Sequence, residues 1–218
     1  MVHDSREESA PAPRRGRPVS EHRRSAILRA ARTLFLKDGF DGTSVEAIAA
    51  MAKVSKPTIY SHFSDKNTLF VAVVSDARSL IPAAPIAPSG TLLDTRDIEG
   101  SLITVGYWFV NMLLEPAVAA LRRLAVFETA RRPELESLWN RGEPDQFKSS
   151  LAHELGELHR AGLLNVPDTK TAVGQLISLW AHQTNEQSLY GVRPLTTHGI
   201  DKIVVTTAKL FVNAHSAP

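Results

Sequence analysis

The chain has 218 residues, no cysteine and an apolar fraction of 43%, which suits a packed core and argues against global disorder. Without cysteine there is no disulfide framework and no thiolate metal site, and no run approaches the roughly 20 apolar residues of a membrane-spanning helix. The first residues lack the apolar core of a signal peptide, so we expect a cytoplasmic protein with no membrane partner.

The formal net charge of +2 is unevenly distributed. Residues 1–64 hold 11 Lys/Arg against 7 Asp/Glu, whereas the rest of the chain holds 14 against 16. A basic end on a slightly acidic body is the distribution expected when only one end meets a polyanion such as DNA. A solvated basic tail is the alternative interpretation.

Residues 1–19 are rich in Pro, Ser, Glu and Arg and are predicted to form a disordered basic arm. Arg14, Arg15 and Arg17 either contact phosphates or a minor groove, or belong to a tail without a role. Ser20 is the predicted N-cap of the first helix, which Gly39 ends as a C′ residue.

The stretch from residue 43 to residue 66 predicts two short helices separated by a tight turn. Thr43 and Glu46 form an S/T-x-x-E capping box, which starts the first helix. Ser55 caps the second, and Pro57 falls in its first turn, where its missing N–H has no partner to lose. Two helices joined by such a turn are typical of a helix-turn-helix that places side chains in a DNA major groove.

The second of these helices has one polar and one apolar side. Ile59 and Phe63 are predicted to point into the core, and Ser64 to cap the next helix. The predicted outward-facing side chains are Lys56, Thr58, Tyr60 and His62.

A further helix is predicted from Asp65 to about Leu80, with Lys66 in its first turn beside free N–H groups that suit a phosphate oxygen. The prolines at 82, 85 and 88 then exclude a continuous helix. We therefore predict a DNA-binding domain over 20–80, a Pro-rich linker over 81–94 and a second domain over 95–218.

The region from Arg14 to Val74 resembles the N-terminal domain of the tetracycline-repressor (TetR) family of bacterial transcription factors. Lys53 and Asn67 depart from the family pattern, which usually has a turn glycine and a glutamate there. The residues that carry the resemblance are Ile27-Leu28-Arg29-Ala30-Ala31, Leu34-Phe35, Gly39-Phe40, Thr43-Ser44-Val45, Ile48-Ala49, Val54-Ser55-Lys56, Thr58-Ile59-Tyr60, His62-Phe63, Lys66 and Leu69-Phe70.

The resemblance implies a homodimeric regulator of a palindromic operator, usually a repressor that a small apolar or aromatic effector releases, with activation as the alternative. Ser44, like Thr43 and Lys66, is expected to anchor the DNA backbone. The full set of expected DNA-binding residues is Arg14, Arg15, Arg17, Thr43, Ser44, Ser55, Lys56, Pro57, Thr58, Tyr60, His62 and Lys66.

From about residue 95 the pattern is again helical, and we predict an all-α chain of roughly nine or ten helices with no sheet. The predicted helices are Asp97–Glu115, Ala117–Arg131, Pro133–Gly142, one from Pro144 or Asp145 to Gly162, Asp168–Tyr190, and one from Thr197. The stretch from Leu121 to Phe147 resembles the AefR-like regulatory domain of the same family.

No convergent catalytic motif is present, so we predict no enzyme, no catalytic or metal-binding residue and no cofactor. His153 and Glu157 lie four residues apart, as metal ligands or an acid–base pair would, but helix surface pairs of this kind are common.

Aromatic residues of the second half either line an effector cavity or pack an ordinary core. Arg122 or Glu128, if directed inward, would add a polar group to such a cavity. The candidate ligand-binding residues are Trp108, Phe109, Met112, Phe127, Glu128, Trp139, Phe147 and Trp180.

The last two long helices each carry an apolar stripe, which faces either its own core or a second subunit. Dimerisation has an independent reason, because one helix-turn-helix contacts only a few base pairs. The candidate interface residues are Ala172, Leu176, Leu179, Ile200, Ile203, Val204 and Phe211. A non-specific architectural DNA-binding protein and an enzyme with an accessory DNA-binding head remain as other functional classes.

Overall fold

The computed structural model describes residues 17–76, 92–132, 135 and 146–217, with side chains from residue 21 onward. Within these ranges the chain forms nine α-helices and no β-strand, which confirms the predicted all-α class. The helices are α1 (Arg17–Gly42), α2 (Val45–Ala52), α3 (Lys56–His62), α4 (Lys66–Asp76), α5 (Ile98–Leu114), α6 (Pro116–Arg131), α7 (Gln146–Arg160), α8 (Thr169–Ser188) and α9 (Thr197–Ala214). Most of the predicted helix over 133–142 and most of the predicted linker lie outside the described residues.

The chain divides into two compact units, Met1–Leu69 and Phe70–Pro218. The division falls within α4, a helix that we expected to belong wholly to the DNA-binding domain. In the first unit α1 packs on α2 and α2 on α3, around fully buried Ile27, Ile48 and Ile59. The helical spacing of apolar residues had predicted this small core.

Helix α1 begins earlier than predicted, and Gly39 breaks it where the sequence predicted its end. The helix begins at Arg17 rather than after Ser20, because Pro18 is tolerated in a first helical turn. Gly39 interrupts it with φ 72° and ψ 179°, a backbone that the missing Cβ permits. Helical structure then resumes as far as Gly42.

Two predicted N-caps are wrong by one residue. Ser44, not Thr43, caps α2 by accepting a bond from the Ala47 N–H at 3.0 Å. At α4, Asp65 accepts from the N–H of residue 68 at 2.7 Å, so Asp65 rather than Ser64 is the cap. Both stretches carry two adjacent capping side chains, and the pattern of residues alone did not separate them.

The second unit has its core where α5 packs against α8 and α9 and where α7 packs against α8. Asp97, predicted as the first residue of this helix, is its N-cap and accepts from the Gly100 N–H at 2.8 Å. Pro116 ends α5 and also opens α6, because a proline fits the first turn of a helix. The core residues include Leu102, Val105, Val110, Leu151, Leu155, Leu176, Trp180, Ile203, Val204 and Ala208.

No single helix in the described ranges has both the length and the apolar character needed to cross a membrane. Only α5 and α6 taken together reach that composition, and these two helices are bent by 67°.

Candidate nucleic-acid interface

Helix α3 is fixed in place by a cap at its start and by two buried side chains. The Ser55 hydroxyl accepts a bond from the Thr58 N–H at 3.2 Å, and Pro57 lies in the first turn, as predicted. Ile59 and Phe63 are 1% and 3% exposed, so they fix the rotation of the helix about its axis. That rotation decides which side chains face solvent.

The opposite face of α3 presents polar and aromatic groups to solvent. Tyr60 is 47% exposed, a large fraction for a tyrosine with its bulky apolar ring. Lys56 and Pro57 are also exposed, while Thr58 and His62 are half-buried. The structure therefore brings these predicted DNA-binding residues onto one short helix.

Lys56 is not a free cation in this structure. Its ammonium group forms an ion pair with the Glu46 carboxylate, across the turn between α2 and α3. The hydrogen bond from Lys56 lowers the pKa of Glu46, and the same bond raises the pKa of Lys56. We had assigned Glu46 to a capping box, and its role as the partner of a DNA-facing lysine was missed.

Thr43 is 2% exposed, and its hydroxyl donates to the Gly39 carbonyl at 2.7 Å. The Thr43 hydroxyl is thus engaged inside its own unit, and its expected contact with the DNA backbone stays a prediction. Lys66 donates to the Thr43 carbonyl at 2.9 Å, and its ammonium lies 4.3 Å from the centroid of the Phe40 ring. These two residues therefore join α4 to the start of α2, while Ser44 remains exposed.

Basic side chains of α1 extend this exposed surface. Arg23 and Arg24 are exposed, and the Arg24 guanidinium lies 5.5 Å from the centroid of the Phe63 ring, near the end of α3. Arg14 and Arg15 lie outside the described residues, as does the side chain of Arg17.

Four of the candidate ligand-binding residues in the second unit contact one another. The Trp108 ring lies 4.9 Å from that of Phe147, and the Phe109 ring lies 5.9 Å from that of Trp180, between ring centroids. All four belong to the core or pack against it, as does Met112. Their arrangement is that of the ordinary core, which was one of the two alternatives.

The other candidate ligand-binding residues are placed differently. Phe127 is 55% exposed, with the Arg131 guanidinium 5.2 Å from its ring centroid. Glu128 is 3% exposed and paired with Arg132, so its charge is already compensated. Trp139 lies outside the described residues.

An apolar groove of about 480 Å³ lies elsewhere in the second unit, on α6. Arg122 is the charged residue of its lining, and the aromatic residues named as candidates do not line it. The lining residues are Val74, Arg122, Ala125, Val126, Thr129 and Ala130. The sequence signal for this groove was available, because the α6 residues recur at helical spacing.

The candidate dimer residues are mostly buried in their own subunit. Ala172, Leu176, Ile203, Val204 and Phe211 are at most 4% exposed, and Ile200 packs against the same core. An apolar stripe of a helix shows which side is covered but not by which chain, and here the subunit's own helices cover it.

Two leucines of α8 and α9 remain exposed, Leu179 by 37% and Leu210 by 55%. Gln183 Nε2 donates to Thr207 Oγ1 at 3.2 Å, so the two helices touch within one turn of both leucines. Leu179 is thus the one candidate dimer residue that faces outward, whereas Leu210 was not among the candidates.

Comparison with known proteins identifies the architecture. A family model described as bacterial regulatory proteins, tetR family, matches residues 27–73, and one described as the C-terminal domain of AefR-like transcriptional repressors matches residues 100–217. The uncharacterized HTH-type transcriptional regulator YdeS of Bacillus subtilis is 48% identical over 64 residues, 29% of this chain and 30% of that protein. The first matched curated relatives are covered over only 28% to 40% of their length.

Solved structures match over nearly the whole chain. A putative TetR-family regulator from Mesorhizobium loti is 26% identical with a TM-score of 0.71, and the match covers 90% of this chain and 98% of that one. The Flavonoid-responsive Regulator FrrA is 28% identical with a TM-score of 0.68, over the same shares. The chain belongs to the TetR family, a family of DNA-binding transcriptional regulators and not of enzymes.

Proposed function

We propose that this chain is a repressor that reads a palindromic operator as a homodimer and is released by a small-molecule effector. Helix α3 supports this proposal, because Ile59 and Phe63 are buried on its inner side while Lys56 and Tyr60 are exposed to solvent. Rigid placement matters because base recognition requires hydrogen-bond geometry to be held within fractions of an ångström.

In this mechanism α3 enters the major groove. Tyr60 and Thr58 meet base edges, and Lys56 exchanges its ion pair with Glu46 for a base or phosphate oxygen. His62, at the end of the helix, and Ser44, at the start of α2, lie toward the phosphates. Contacts to phosphates supply affinity and register, and the few base contacts supply specificity.

The arginines of the N-terminal arm and of α1 add to the affinity. Arg14, Arg15 and Arg17 are proposed to follow the backbone into the adjacent minor groove, and Arg23 and Arg24 to approach phosphates. Thr43 and Lys66 contribute indirectly, by fixing the start of α2 against α4.

The proposed dimer uses the outer faces of α8 and α9. Leu179 and Leu210 are the exposed apolar residues on these faces of the described structure, and the buried candidates do not take part. Exchange of Leu210 for arginine is expected to produce a monomer in light scattering, whereas Lys202→Ala, on an exposed residue of the same helix, leaves the dimer intact. A monomeric wild-type protein at micromolar concentration contradicts this proposal.

Effector control is supported by the matched AefR-like repressor domain and by FrrA, which is described as flavonoid-responsive. The groove on α6 is the proposed effector site. It includes Val74 of α4, a helix that begins at Lys66. A ligand acts only as far as it prefers one conformation of the protein over another.

The experiment is a mobility-shift titration on the promoter region of the chain's own operon. Lys56→Ala combined with Tyr60→Ala is expected to lower the affinity at least about tenfold, since each base contact contributes about 1–3 kcal/mol. Lys202→Ala removes a lysine charge from the second unit and should bind like the wild type. Unchanged binding by the double variant removes α3 as the reading helix.

A further inference from the structure

The groove runs along one face of α6, and its charged residue lies at one end of that face. The lining residues of α6 are Arg122, Ala125, Val126, Thr129 and Ala130, a spacing that places them on one face. Residues 122 and 130 are separated by about 12 Å along the helix axis. The lining face is therefore long enough for an extended ligand, with the Arg122 cation at one end and apolar surface along the rest.

The cation at this end has only a neutral partner. Arg122 is half-buried, and its Nη1 donates to the amide oxygen of Asn185 at 3.2 Å. Burial lowers the pKa of Arg122, while the Tyr190 hydroxyl acts in the opposite sense. Among the described residues no carboxylate forms an ion pair with Arg122. Glu128, the acid of α6, is buried and paired with Arg132.

We propose that the groove on α6 binds a small amphipathic organic anion, with its carboxylate on the Arg122 guanidinium and its apolar body along Ala125, Val126 and Ala130. A guanidinium offers five N–H donors in a planar fork that matches a carboxylate, and one short-range bond to an amide leaves most of that capacity unused. Charge complementarity at one end and apolar surface along the rest thus specify the occupant. This inference rests on the proposed effector function and names the chemical class of the effector.

The test compares three probes with the same apolar body, namely decanoate, decanamide and decylammonium, each below its micelle-forming concentration. Dissociation constants of the full chain are measured from tryptophan fluorescence and checked by the shift in unfolding temperature. Decanoate is expected to bind roughly ten- to hundredfold more tightly than decanamide, because only its carboxylate forms a bidentate ion pair with the guanidinium. Decylammonium is expected to bind most weakly of the three.

Three variants separate the charge from the fold. Arg122→Gln should reduce the affinity for decanoate to that for decanamide and leave decanamide unchanged. Asn185→Ala keeps the cation and should keep the preference for decanoate. Val126 is 67% exposed, so Val126→Glu should fold normally while its carboxylate repels decanoate from the groove.

Equal affinity for all three probes, no binding by any of them, or a preference for decanoate that survives Arg122→Gln each overturns the proposal. Promoter binding is measured on the same samples. If promoter binding is intact in a sample that gives one of those results, the regulator function still holds and only the proposed organic-anion effector is rejected. Loss of promoter-specific binding in the wild type removes the proposed function itself.

Discussion

Replacement of Lys53 by glycine is expected to stabilise the helix-turn-helix. Lys53 has φ 54° and ψ 44°, in the left-handed region that favours glycine. The turn is otherwise satisfied, because the Lys53 N–H donates to Ala50 and the Val54 N–H donates to Ala49 at 3.0 Å. The exposed side chain has no bond in the described structure, so the substitution breaks no side-chain contact there.

The size of the effect follows from two opposing contributions. The left-handed backbone conformation destabilises a residue with a Cβ by about 1–2 kcal/mol, and glycine avoids this strain. Glycine also lowers the stability by about 0.4–1 kcal/mol, because it raises the conformational entropy of the unfolded chain. A net gain of about 0.5–1 kcal/mol remains. Amide hydrogens of α2 and α3 should then exchange with solvent roughly two- to fivefold more slowly, as measured by mass spectrometry.

The matched control is Lys53→Ala, which removes the charge and keeps the Cβ. Exchange in α2 and α3 should stay near the wild-type rate in this variant, because the strain persists. Equal protection in Lys53→Ala and Lys53→Gly refutes the reasoning, and so does faster exchange in the glycine variant.

Three further predictions concern individual contacts. Asp65→Ala should lower the free energy of unfolding by about 1 kcal/mol in a denaturant titration, whereas Ser64→Ala should change it little, because only Asp65 caps α4. Gly106→Ala should destabilise the second unit by about 1–3 kcal/mol, since an added Cβ lies 2.9 Å from the Trp180 indole; an unchanged unfolding midpoint contradicts this. Glu46→Gln should raise promoter affinity severalfold at low salt, because it releases the lysine at the start of α3 and removes a negative charge near phosphates; equal or weaker binding argues against that role.

Local rules predicted most of the helix-turn-helix. Ser55 as a cap, Pro57 in the first turn, and the inward positions of Ile59 and Phe63 all depend on spacing within one helix, which the sequence displays directly. Thr43 was assigned the wrong role because its neighbour is also a good cap. The choice depended on a bond from the Thr43 hydroxyl to a carbonyl of α1, which no pattern within α2 reveals.

The second unit was harder to interpret for a physical reason. Helical periodicity identifies the apolar side of α9, but it does not tell whether the covering surface belongs to the same chain. Ile203 and Phe211 therefore qualified equally as core and as dimer interface, and burial places them in the core. Likewise Arg122 and Glu128 were both candidate polar groups for an effector cavity; Arg122 lines the groove on α6, whereas Glu128 is buried and paired with Arg132.

Sequence-specific DNA binding by the exposed face of α3 is the central property of the proposed regulator. Fluorescence anisotropy at about 150 mM salt can compare the chain's own promoter DNA with a scrambled duplex of the same composition. We expect the affinity for the promoter DNA to be at least about a thousandfold higher, the lower end of the usual range for specific regulators. Equal affinity for the two duplexes contradicts it and indicates binding by charge alone.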